Sequence, residues 1–183
     1  MPRQVHLFDR PTRFVAGTVG QPGDRTFYLQ ATDDTGRTVS VALEKTQVQV
    51  LADRMNELLD EVSSRANAVI PPDADVDDLE PLTAPVDEEF RVAAMGLAWD
   101  SAAEAVVVEA VAAGDEPIEE DAILSDSDEG PDALRVTISP MAARAFIARA
   151  RRVVAAGRPS CPLCSLPLDP VGHVCPRQNG YRR

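Results

Sequence analysis

All three cysteines of this 183-residue chain fall between positions 161 and 175, and no other feature constrains its folding as tightly. They stand in Cys161-Pro162-Leu163-Cys164 and then in Gly172-His173-Val174-Cys175-Pro176, beside one of the two histidines. Two thiols two residues apart on a proline-led turn present both sulfurs to one tetrahedral centre, and a pair from a second turn can close it. Cys161, Cys164, His173 and Cys175 therefore predict a zinc site of three thiolates and one imidazole. A closed four-ligand set leaves no position for substrate, so Zn2+ is expected to be structural. The His-x-Cys pair is tighter than the usual spacing of about two to four residues. The spacing leaves open whether His173 ligates directly or only supports the ligands. Pro162, Pro167, Pro170 and Pro176 stiffen the loops before they close.

With every cysteine in the tail, none remains to staple the body, which suits a reducing cytosol. No apolar run approaches the ~18 residues of a membrane span, and the opening MPRQVHLFDRPTRF lacks an apolar leader. The expectation is a cytoplasmic protein with one main body and a small appendage. Aromatics make up only 4% of the chain, so Val, Ala and Leu must fill the core. The net charge of −12 is uneven: residues 157–183 carry +3, leaving −15 on the rest. Such a body repels nucleic acid and anionic membranes.

The pattern along the chain predicts an α+β fold built from two βββα repeats. Strands are expected at 13–19, 25–31 and 37–43, with turns at Gln21-Pro22-Gly23-Asp24 and Asp33-Asp34-Thr35-Gly36. Val48, Leu51, Met55, Leu58, Leu59 and Val62 lie at helical spacing behind a Thr46…Gln49 capping box. Residues 69–88, acidic and proline-rich, read as a linker. Strands at 90–99, 104–111 and 133–138 then precede a helix opened by Ser139-Pro140 and stopped at Gly157. The expected layout is a first repeat over 1–68, a linker over 69–88, a second repeat over 89–157 and a zinc knuckle over 158–183. The sheet is expected to be antiparallel with both helices on one side. An insertion at 114–132 carries nine acids and reads as a solvated loop, with Ile118, Ile123 and Leu124 as an alternative docking motif for a partner.

Two further groups of residues are candidates. Arg177, Tyr181, Arg182 and Arg183 could grip a phosphate, a nucleic-acid backbone or an acidic partner surface; the plainer reading pairs them with the protein's own acidic body. His6, in Val5-His6-Leu7-Phe8, is expected at an exposed or edge position with a structural role. No Ser-His-Asp set, glycine-rich phosphate loop or catalytic carboxylate pair is readable.

The tail from Cys161 to Arg183, together with Phe27–Ala31 and Val41–Gln47, resembles an actinobacterial family catalogued as a domain of unknown function. The likeness spans nearly the whole chain. It implies a cytoplasmic protein of no assigned activity, whose gene tends to lie beside those of a kinase-like protein of the lipid-kinase type and a histidine-phosphatase-like protein. The expectation is therefore a non-enzymatic, zinc-binding interaction protein whose partner is another protein, with the kinase-like neighbour first in line. The alternative is an enzyme or small-ligand binder. Its site would lie at the seam between the repeats, lined by Tyr28 or Trp99, or beside the tail arginines.

Overall fold

The computed structural model describes residues 3–65, 70–72, 78–114, 118, 123–127, 129–168 and 172–177. The chain is α+β: seven strands form one mixed sheet, accompanied by two helices. The strands are β1 (Val5–Asp9), β2 (Arg13–Gln21), β3 (Asp24–Thr32), β4 (Thr38–Leu43), β5 (Glu88–Asp100), β6 (Ala105–Ala112) and β7 (Ala133–Ile138). Helix α1 (Lys45–Arg65) follows β4, and α2 (Pro140–Ala155) follows β7. The strand order is β1-β7-β6-β5-β4-β3-β2.

Local chemistry sets the elements. Pro22 and Gly23 join β2 to β3 in register Gln21↔Asp24, and Gly23 takes φ +100°, which a side chain would resist. Ser139 caps α2 by accepting from the Ala142 amide, with Pro140 in the first turn. The cap of α1 sits two residues earlier than the expected Thr46…Gln49 box. The Glu44 amide donates to Gln47 Oε1, which is one half of a capping box, while the Gln47 amide donates to the Glu44 backbone carbonyl.

The sheet departs from expectation in two ways. It is mixed rather than antiparallel, because α1 carries the chain back across the sheet and β5 starts parallel to β4. An additional strand, β1, precedes the six expected ones and pairs parallel with β7, Val5↔Ala133 through Asp9↔Thr137. His6 is accordingly buried within an edge strand and not exposed.

The two ends of the sheet meet. β1 and β2 stand at opposite ends of the strand order yet are separated by only three residues, Arg10–Thr12. Chain reach limits the gap between Asp9 and Arg13 to about 14 Å, so the sheet wraps strongly. Arg37, from the β3–β4 turn, bridges the gap by laying its guanidinium 4.6 Å from the Phe8 ring centroid. The helices fill the concave face. Val41, Leu43, Val106, Val136 and Ile138 from the strands share one core with Leu51 and Met55 of α1 and Phe146 of α2. Phe14 of β2 stacks on Phe146 at 4.8 Å.

The outer face is covered by loops. Leu82 lies where a Cβ on Gly17 would reach within 2.5 Å of it, and the Gln30 amide clasps Thr83 from both sides. On the other half, Ile123 lies against Gly96 in the same way, and the Leu124 amide donates to Glu109. Residues 123–127 of the acidic insertion therefore pack on their own sheet. They are neither a freely solvated loop nor an unoccupied docking motif.

Candidate metal centre

The tail leaves α2 at Gly157 and folds into a tight turn. Ser160 bridges Pro167, the Cys161 amide donates to Leu166 O, and the Ser165 amide donates back to Cys161 O. That loop is too short for regular backbone, and Ser165 takes the left-handed region at φ +61°. The result brings Cys161 and Cys164 together on one side.

His173 and Cys175 come from the second turn. The Cys161 and Cys175 sulfurs lie 3.9 Å apart, and His173 Nε2 lies 3.2 Å from Cys164 Sγ. One donor atom from each of the four residues falls within 4.8 Å of all the others. Ligands about 2.3 Å from a common tetrahedral ion stand roughly 3.8 Å apart, so the four are positioned to hold one metal ion. Cys161 and Cys175 are buried, and Cys164 and His173 are half-buried. The amides of Leu163 and Cys164 point at the Cys161 sulfur and lower its pKa to about 6, which favours the thiolate a metal requires. Burial pushes the Cys164 thiol upward.

The tail joins the body at the β2–β3 turn. Arg158 packs over Gly23, and Arg25 donates to Ala156 O at the end of α2 while its guanidinium rests on Phe27. Of the remaining tail candidates, Arg177 is exposed, and Tyr181, Arg182 and Arg183 lie outside the described residues. Tyr28 and Trp99 are half-buried, and Trp99 packs against the core. A cavity of about 430 Å³ between α1 and β5 is lined by Met95, Gly96 and Leu97 but by neither aromatic.

Two polar clusters have no counterpart among the expected sites. Glu109, fully buried in β6, pairs with Arg3 at 2.8 Å and Arg135 at 2.5 Å. Arg135 and Arg3 also hold the carbonyl of Ser125, which fastens the insertion over the sheet. Asp78 takes a two-pronged contact from Arg13 and a third bond from Arg149 of α2. The Arg13 hydrogen bond holds the Asp78 carboxyl below its ordinary range. His6 Nε2 has no hydrogen-bond partner among the described residues and lies 3.6 Å from Glu89. One acid inside the apolar run Val106–Val111 was the only signal for the first cluster.

The profile of a family described as "Protein of unknown function (DUF3090)" matches residues 6–175, and the chain belongs to that family. Neither a curated protein nor a solved structure matches the chain.

Proposed function

We propose that this chain is a non-enzymatic, zinc-binding accessory protein whose work is to dock another protein in the cytoplasm. The closed donor set carries the reading: three thiols and an imidazole within 4.8 Å of one another fill a tetrahedral shell with no place for substrate. Thiolate-rich tetrahedral sets select Zn2+ over the harder divalent cations. His173 is the fourth ligand in this reading, and its ring sits within reach of the Cys164 sulfur. The kinase-like protein implied by the family resemblance is the first partner to try. The two βββα halves read as copies of one unit. Each ends in a parallel pairing, β4 with β5 and β7 with β1, and each buries a glycine of its first long strand under a loop side chain.

Two measurements test the proposal. Protein purified without chelators should contain one zinc per chain by elemental analysis. Native purification from the host should recover a stoichiometric second protein. A metal-free preparation that is fully folded, or zinc with an exchangeable water as a ligand, would refute the closed-site reading.

A further inference from the structure

Strand β5 is paired on both sides for only part of its length. Against β4 its register runs from Ser40↔Glu88 to Ala42↔Arg91 and stops, because β4 ends at Leu43 and the chain turns into α1. Pairing with β6 begins at Val92 and continues to Asp100. From Ala93 onward, no described strand pairs with the other edge of β5, and α1 runs beside it. Gln47 reaches across only at the start, donating to Val92 O.

The far edge of the sheet shows what this chain does with an edge it means to close. There Arg149 donates to Ala16 O, and Arg13 and Arg149 together bind the carbonyls of Asp78, Glu80 and Pro81, laying residues 78–81 against β2. The β5 edge has no such cover among the described residues. Nor does its sequence, Ala93-Ala94-Met95-Gly96-Leu97, carry the charge or proline that blunts an edge. The space beside it is a groove of about 430 Å³, with strand residues 93–97 as one wall and the flank of α1 from Gln47 to Glu61 as the other. Val50, at 54% exposed, and half-buried Leu58 face it from the helix. The helical wall is ~21 Å long at ~1.5 Å per residue, enough for about six residues of extended chain at ~3.3 Å each.

We propose that this groove takes an extended segment of a partner protein, which adds a strand to the free edge of β5 and sets its aliphatic side chains against Val50 and Leu58. The unpaired main chain dictates an extended occupant, since only a strand satisfies successive edge groups. The apolar wall dictates aliphatic residues at alternate positions. The net charge of −12 favours a segment with basic flanks. This inference rests on the reading of the chain as a docking protein and assigns the surface.

The test uses the full-length, metal-loaded protein as bait for a library of displayed 12-residue peptides. Enriched peptides should alternate aliphatic residues between Lys or Arg flanks. Val50→Arg should weaken the best of them at least tenfold, and Leu163→Arg, on the knuckle, should not. Backbone N-methylation of alternate residues should cost at least tenfold in one set of positions and nothing in the other, because a strand donates to its neighbour through every second amide. Four results would each overturn the assignment: no enriched peptide, equal sensitivity to methylation at both sets, loss with Leu163→Arg but not Val50→Arg, or a dimer of this chain that Val50→Arg dissociates. The third would leave the docking role intact and move it to the metal knuckle.

Discussion

A carboxylate at the centre of β6 is costly to bury unless opposite charge meets it there. Glu109 has no solvent exposure, and its two oxygens are taken by Arg3, Arg135 and the Leu124 amide. Glu109→Gln keeps the shape but takes from Arg3 its carboxylate partner and leaves Arg135 with Asp126 in place of two carboxylates. The expected cost is about 3 kcal/mol, read as a lower denaturant midpoint at unchanged slope. Asp78 makes a contribution that depends on pH. Its native pKa is depressed, so its contribution is complete above ~pH 4 and is lost as pH falls toward the lower native value. Asp78→Asn should destabilise by roughly 2 kcal/mol at neutral pH, and the gap to wild type should narrow steadily below ~pH 4. A gap constant down to ~pH 2 would show that the ion pair contributes nothing. Neither cluster could be read in advance, because Arg3 meets Glu109 across 106 positions and Arg149 meets Asp78 across 71. A lone acid in an apolar run announces that a partner exists and not which one. The cysteine tail was legible for the opposite reason: its donors lie within 15 residues and their chemistry fixes their geometry.

At the scale of elements, hairpins and helices followed from local signals. The β7 span and the Ser139 cap agree with the alternation of Leu134, Val136 and Ile138 and with the Ser-Pro pair. β1 was missed because Val5–Asp9 has no hairpin partner nearby. It pairs with residues 133–137, and parallel pairing leaves no turn to mark it. Within the insertion, the packing of Ile123 and Leu124 was not legible because acidity outweighs two aliphatic residues whose contact surface lies on another strand. The knuckle is the element most open to a direct test. Ser165 holds φ +61°, which costs a side-chain-bearing residue about 1 kcal/mol relative to glycine. Ser165→Gly should make the tail hold its metal several-fold more tightly in a chelator competition. Cys164→Ser should release the metal and unfold residues beyond 158, while the melting of the body changes little. If the body melts with the tail, the contacts of Arg158 and Arg25 at the β2–β3 turn are part of the main core and not a seam.

At the scale of the whole molecule, the two halves cannot separate. β4 from the first half pairs with β5 from the second, β7 pairs with β1, and α2 packs against β2 as well as β6. Arg144 of α2 ties this arrangement to α1 by donating to Asn56 and Asp60. Strand order and helix placement therefore interleave the chain so that no cut at 69–88 leaves a closed core on either side. Two expectations follow. Calorimetry should give one body transition with matching calorimetric and van't Hoff enthalpies; two resolved transitions would mean that the halves fold alone. Removing residues 1–9 should be far more damaging than loss of a five-residue strand suggests. It deletes the strand that closes the β7 edge, removes Phe8 from the core and takes Arg3 from buried Glu109. The truncated chain should lose about 6 kcal/mol or more, the sum of one large aromatic and one broken buried ion pair at about 3 kcal/mol each, and should expose β7 to intermolecular pairing. A truncated protein that stays monomeric and melts within a few degrees of the intact chain would mean that the wrapped sheet is held from its other end, through Arg149 and the 78–83 segment, and that β1 only decorates it.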